Sequence, residues 1–177
     1  MAASTRLKLT DYIRSIPDFP KPGILFRDIT PLLAAPEAFC EAISQLVQRV
    51  KDRQVEVVVA AEARGFLVAA PLALQLRASL VPVRKPGKLP YKVVSHSYQL
   101  EYGSDTLQMH IDAIRPGART LVVDDLLATG GTVEACCRLV EKLGGQVIGC
   151  AFLIELADLG GAKRIAPHEP ISLIRYE

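Results

Sequence analysis

The chain reads as an α/β domain with a central, mostly parallel sheet flanked by helices, and three observations carry that reading. From Pro36 onward amphipathic segments alternate with short β-branched runs, the order that lays helices on a parallel sheet. Val55 to Ala61 is almost continuously apolar, as a strand covered on both faces should be. Leu121-Val122-Val123 then ends in two carboxylates and passes through a Gly/Thr-rich turn into apolar residues at helical spacing, Val133, Cys136, Cys137 and Val140.

The elements follow in order. Pro20-Lys21-Pro22-Gly23-Ile24-Leu25-Phe26-Arg27-Asp28 is a proline-bounded opening segment. Pro36, suited to a first helical position, opens a helix whose apolar face is Phe39, Ile43, Leu46, Val47 and Val50. The strand Val55 to Ala61 leads into a corner, Glu62-Ala63-Arg64-Gly65-Phe66, and a helix from Leu67 to Leu76. Leu80 to Val83 is a short strand. The next stretch, Arg84-Lys85-Pro86-Gly87-Lys88-Leu89-Pro90, holds three cations in five residues, and its prolines and glycine stop it becoming helix. Ser95 to His110 is a hairpin divided by Gly103-Ser104-Asp105 and expected to stand off the sheet, with Leu107, Met109 and Ile111 on one face. After the strand Leu121 to Val123 comes a helix from Val133 to Leu143, stopped by Gly144-Gly145. The strands Val147 to Leu153 and Ile171 to Tyr176 complete the chain. No repeat, low-complexity tract or linker interrupts it, so residues 1–177 are expected to form one domain.

Composition narrows the function classes. With 177 residues, half of them hydrophobic, the chain suits one core that buries roughly 70% of its unfolded surface. Lysine plus arginine number 21 against 19 acidic residues, which argues against a general nucleic-acid or anionic-membrane surface. Met1-Ala2-Ala3-Ser4-Thr5-Arg6 leads into no apolar signal region, and no run reaches the roughly 18 apolar residues of a membrane span. A soluble, cytoplasmic protein is expected. Cys40, Cys136, Cys137 and Cys150 lack metal-site or redox spacing and read as reduced core residues. His96, His110 and His168 lie in no metal-ligand motif and receive no role.

Chemistry concentrates at Asp124-Asp125-Leu126-Leu127-Ala128-Thr129-Gly130-Gly131-Thr132. Amides from Ala128 to Thr132 converge on a helix start, where unsatisfied N–H groups and the positive dipole end favour a phosphate. Gly130 and Gly131 allow close backbone approach, and Thr129 and Thr132 add hydroxyl donors. Carboxylates repel phosphate, so Asp124 and Asp125 suit neutral donors such as two vicinal ribose hydroxyls, directly or through a hydrated cation. A ribose 5-phosphate satisfies both halves. The turn has neither the glycine spacing of a dinucleotide site nor the Gly-Lys-Ser/Thr ending of an ATPase loop.

The run Val122 to Thr132 resembles the phosphoribosyl pyrophosphate (PRPP) signature of the type I phosphoribosyltransferases, and within them the adenine-specific members. The resemblance spans about Ile13 to the carboxyl terminus and implies that family's fold, with a small amino-terminal hood at about residues 1–35 and a mobile lid hairpin at about 84–110. It implies that Ala128, Thr129, Gly130, Gly131 and Thr132 hold the phosphate of PRPP or AMP, and that Asp124 and Asp125 hold the ribose. Ala63, Arg64, Gly65, Arg84 and Lys88 then match pyrophosphate-binding positions, with Arg64 and Lys88 also catalytic, while Glu62 shapes its loop. Taken alone, Arg64 and the 84–88 cations read as solvated surface charges. Leu100-Glu101-Tyr102-Gly103 matches the segment carrying a catalytic glutamate near the base, here Glu101. Pro22-Gly23-Ile24-Leu25-Phe26-Arg27-Asp28 matches the hood, where Phe26 stacks on adenine and the main chain of Leu25 and Arg27 reads its edge; without the resemblance Phe26 is equally a core residue. The lid stretch Tyr91 to His96 follows no family pattern. The implied reaction joins PRPP and adenine N9 to give AMP and pyrophosphate, with Mg²⁺ held mainly by substrate and water, near Asp124 and Asp125, in a homodimer. Two alternatives differ in chemistry: a phosphoribosyltransferase for a 6-oxo purine, and a non-catalytic PRPP-binding regulator.

Overall fold

The computed structural model describes residues 7–99 and 104–177, apart from the side chain of Gln99. The chain divides into two compact units, Met1–Gln45 and Leu46–Glu177. In the first, strands β1 (Arg14–Pro17) and β2 (Leu25–Asp28) pair antiparallel, with Ile16 opposite Phe26. Their connection is pinned by Asp18, whose carboxylate accepts from the Gly23 amide at 2.8 Å, and by Phe19 edge-on to Phe26 with centroids 5.1 Å apart. Asp28 accepts from the amide and hydroxyl of Thr30, which fixes the first turn of α1 (Thr30–Ala34). Helix α2 (Pro36–Val50) starts at the expected proline. Its buried residues are Ala38, Ala42, Ile43, Leu46 and Val50, with Phe39 and Val47 only half-buried.

The second unit is a five-stranded, all-parallel sheet flanked by helices, its strands lying in the order Ser79–Val83 (β4), Val57–Ala61 (β3), Arg119–Leu127 (β7), Gln146–Leu156 (β8) and Pro170–Tyr176 (β9). Strand β3 (Val57–Ala61) is buried at every residue, which the two-sided covering of a parallel sheet requires. Helix α3 (Gly65–Leu76) begins two residues before the expected Leu67, β4 spans Ser79–Val83, and β9 spans Pro170–Tyr176. Strand β8 (Gln146–Leu156) leads through a short turn into α5 (Gly161–Arg164).

Three expectations need correcting: the end of β7, the place of Ile111 and the burial of Cys40. Strand β7 runs from Arg119 to Leu127, well beyond Val123, because it pairs with β8 as far as Leu127 opposite Glu155. Asp124 and Asp125 are therefore strand residues, and only Ala128 to Gly130 separate the strand from α4 (Gly131–Lys142). The hairpin of β5 (Val93–Gln99) and β6 (Ser104–His110) forms its own two-stranded sheet apart from the five-stranded one, as expected, and it packs closely on α4. Tyr98, Leu107 and Met109 enter the same buried cluster as Val133, Cys136 and Val140 of α4. Lys142 donates to the Ser95 carbonyl at 2.8 Å, and Arg84 and Gln108 exchange main-chain hydrogen bonds at 2.9 and 2.7 Å. Burial of Leu107 and Met109 contributes more than exposing them to solvent would. The apolar face stops there, since Ile111 is 44% exposed. Cys136, Cys137 and Cys150 are buried thiols, but Cys40 is exposed and does not belong to the core. No helix among the described residues is long and apolar enough to cross a membrane.

Candidate active site

The end of β7, the loop after it and the first turn of α4 enclose a cavity of about 190 Å³ lined by Asp124, Asp125, Ala128 to Thr132 and Arg64. The local sequence explains the tight corner. Gly130 has φ +82°, a left-handed conformation that side chains resist, and its carbonyl accepts the Glu134 amide at 2.9 Å to open α4. The loop is shaped from behind by α5. A Cβ on Gly130 would lie 2.9 Å from the Gly161 carbonyl oxygen, and one on Gly161 would lie 2.3 Å from the Ala128 carbonyl. Arg164 packs its guanidinium against Gly131 and bonds Glu134 at 2.8 Å. Glycine at 130 and 161 is thus a condition of the loop reaching its position.

The two carboxylates differ. Asp125 is buried and paired, its Oδ2 lying 3.0 Å from Nε of the half-exposed Arg64. Pairing offsets part of the cost of burying that charge. Asp124 Oδ1 accepts the Asp125 amide at 2.9 Å, and Gly65 closes beneath it: a Cβ there would sit 2.9 Å from the same oxygen. Burial, together with the neighbouring Asp125 charge, pushes the Asp124 carboxyl well above the usual carboxylate range.

The second corner places Ala63 and Arg64 at the surface and buries Gly65. The Glu62–Ala63 peptide is cis, which nothing in the sequence announced. Glu62 holds the basic segment: its Oε2 accepts from Arg84 Nε and Nη2, both at 3.1 Å, and its Oε1 accepts the Lys85 amide at 2.6 Å. The Lys85 amide bond, aided by Arg84, keeps the Glu62 carboxyl below its usual range against the opposing effect of burial. Lys85 pairs with Asp105 of β6 at 3.0 Å, and that contact lowers the Asp105 carboxyl and raises the Lys85 ammonium. Lys88 is exposed, on a turn closed by its amide to the Lys85 carbonyl at 3.3 Å.

Leu25, Phe26 and Arg27 lie on β2 of the first unit, Leu25 exposed and the other two half-buried. Glu101, with Leu100, Tyr102 and Gly103, lies outside the described residues. Among the described residues no group of three or more His, Cys, Asp or Glu is arranged to hold a metal. Sequence reasoning missed Gly161 and Arg164 behind the loop, Asp105 on Lys85, and Tyr98, whose hydroxyl lies 3.3 Å from Thr132 Oγ1. For Gly161 a signal existed, since Gly160-Gly161 follows a strand as Gly130-Gly131 does.

The phosphoribosyl transferase domain family matches residues 29–171. An adenine phosphoribosyltransferase of Desulfitobacterium hafniense is 58% identical over 96% of this chain and 98% of its own length. The chain belongs to the adenine phosphoribosyltransferases, within the type I phosphoribosyltransferase family. Members of this family are transferases, and solved structures agree with the placement. The adenine phosphoribosyltransferase of Thermoanaerobacter pseudethanolicus superposes with a TM-score of 0.93 at 50% identity, covering 95% of this chain and 98% of that one. The Saccharomyces cerevisiae enzyme, crystallised with adenine and an imino-altritol bisphosphate, gives 0.88 at 36% identity over 93% of this chain and 96% of its own. The expected type I phosphoribosyltransferase fold, a parallel sheet flanked by helices, is the fold found.

Proposed function

We propose that the chain transfers the phosphoribosyl group of PRPP to N9 of adenine, giving AMP and pyrophosphate. The observation that carries this reading is the cavity after β7, where the glycine- and threonine-rich loop from Ala128 to Thr132, two aspartates and an arginine from a second corner meet. It belongs to a chain whose relatives bear that enzyme's name.

In this reading the amides from Ala128 to Thr132 and the Thr129 and Thr132 hydroxyls bind the 5-phosphate at the α4 N-terminus. Asp124 and Asp125 accept hydrogen bonds from the ribose hydroxyls. Arg64 begins on Asp125 and Arg84 on Glu62, so binding of pyrophosphate oxygens exchanges one anionic partner for another. That exchange releases Asp125 toward the sugar. Arg64, Arg84 and Lys88, with the main chain of Ala63 and Gly65, then face the negative charge that collects as the C1–oxygen bond loosens. Glu101 handles the proton that adenine must lose on becoming bonded to ribose. Phe26 offers a stacking face, while the main chain of Leu25 and Arg27 selects a 6-amino over a 6-oxo edge; one unmatched buried polar group costs about 1–3 kcal/mol, roughly ten- to a hundredfold.

Mg²⁺ fits a site of this kind: two aspartates with hard oxygen donors line the cavity, without the larger set of an all-protein cage, which suits an ion that keeps waters and takes substrate oxygens. Asp124 and Asp125 would hold it, and it would neutralise pyrophosphate charge. The four unbridged cysteines support a reducing, cytoplasmic setting. The exposed leucines Leu67 and Leu74 of α3 support a homodimer. The deciding experiment offers adenine, hypoxanthine, guanine and xanthine together with PRPP, with and without Mg²⁺. AMP is the expected product and Mg²⁺ a requirement; preference for a 6-oxo base, or saturable PRPP binding without product, overturns the proposal.

A further inference from the structure

Tyr98 is 8% exposed, packed in the core cluster beside α4. A buried phenol hydroxyl without a partner is costly, and Thr132 Oγ1, at 3.3 Å, is its partner among the described residues. Burial raises the Tyr98 hydroxyl above its usual range, so it keeps its proton and remains a donor. Opposite Tyr98 on the same face of the hairpin stands Asp105, the partner of Lys85. One cross-strand pair therefore touches both the cradle loop and the cationic segment.

We propose that Tyr98 is a positioning residue of the phosphate cradle, its hydroxyl donating to Thr132 Oγ1 and so turning the threonine's own proton toward the sugar phosphate. The inference rests on Thr132 belonging to that cradle. The hydroxyl arithmetic is strict. Thr132 has one proton and two lone pairs, and a phosphate oxygen accepts only. Without ligand either hydroxyl can be the donor. A bound phosphate removes that freedom: Thr132 must donate outward, Tyr98 must donate to Thr132, and the two bonds reinforce each other because the last acceptor is charged. By linkage, a hairpin held through Tyr98 strengthens phosphate binding as much as phosphate strengthens the hairpin contact.

The test uses the full chain and four variants: Tyr98→Phe, Thr132→Val, Thr132→Ser and the double variant Tyr98→Phe/Thr132→Val. Ribose 5-phosphate is the probe, with PRPP and adenine KM, kcat and Tm alongside. Tyr98→Phe keeps the packed ring and should weaken ribose 5-phosphate by about fivefold and raise the PRPP KM similarly, with kcat at saturation and the adenine KM nearly unchanged. Thr132→Val should weaken it at least as much, and adding Tyr98→Phe should cost nothing further. Thr132→Ser, which retains the hydroxyl, should stay near wild type. An unchanged ribose 5-phosphate affinity in Tyr98→Phe, or the same loss in the Thr132→Val background, overturns the proposal. If Thr132→Val itself leaves affinity intact, Thr132 is not in the cradle and both readings fall; if Thr132→Val weakens binding and Tyr98→Phe does not, only the role of Tyr98 falls.

Discussion

Asp124 is an acid whose surroundings favour its neutral form: burial first, then the adjacent Asp125 charge, raise its carboxyl well above the ordinary 3.8. In the unliganded protein the folded state therefore holds a proton that the unfolded chain has already released. Stability from this group is complete below the ordinary carboxylate value and is lost as pH rises toward the raised one. Asp124→Asn should flatten that slope, and Tm measured across about pH 4 to 8 without ligand should show the wild type losing more stability on the alkaline side than the variant. An identical pH profile would refute the account. Gly161 makes a second residue-scale case. A methyl group there must displace the Ala128 carbonyl 2.3 Å away, so Gly161→Ala should cost about 1–3 kcal/mol by overpacking and raise the PRPP KM by shifting the loop. For Glu101, Glu101→Gln should lower kcat more than it raises the PRPP KM, because the proposed benefit arises as the new bond forms; an unchanged kcat would remove Glu101 from the chemistry.

At the scale of elements, the hairpin and the basic segment act together. Arg84 is bonded to Glu62 and to Gln108 of β6, Lys85 to Asp105 of β6, and Tyr98 of β5 reaches Thr132 at the start of α4. The apolar side of β6 is equally committed, with Met109 fully buried and Leu107 2% exposed. Met109→Ala should therefore cost about 2–5 kcal/mol in urea unfolding, as a core truncation does. A loss below about 1 kcal/mol would mean that the hairpin contributes little to the packed body. The register of β7 matters as much. Extending the strand through Asp124 and Asp125 sends consecutive side chains to opposite sides of the backbone, and Arg64 from the next corner completes the cavity wall that they share.

For the whole molecule, the proposal of a homodimer predicts a solution mass near twice the 19.2 kDa of one chain. Replacing both Leu67 and Leu74 on the outer face of α3 by polar residues should lower it if that face is the contact. A single-chain mass for the wild type in sedimentation would end the proposal. Much of the sheet was legible in the sequence. Val57–Ala61 is a continuous apolar run opened by three β-branched valines, and Gly144-Gly145 stops α4 as it should. The phosphate loop was legible because glycine, threonine and a strand-to-helix change lie within a few residues of each other. The partners of Arg64, Arg84 and Lys85 were not, since they depend on residues brought near by the fold: Asp125, Glu62 and Asp105. The contact of Tyr98 was hidden for the same reason, since Thr132 lies 34 residues further along the chain.

The sequence by itself determined the alternation of strands and helices, the loop from Ala128 to Thr132 and the paired acids before it, because each is a local pattern written in neighbouring residues. Tertiary structure alone decided that β7 carries both acids within its length, that α5 presses on the loop from behind, and that the hairpin packs on α4. Those outcomes depend on strand pairing and close packing between segments distant along the chain. Residue spacing encodes neither the register of a parallel ladder nor the 2.3 Å that leaves room only for glycine at 161.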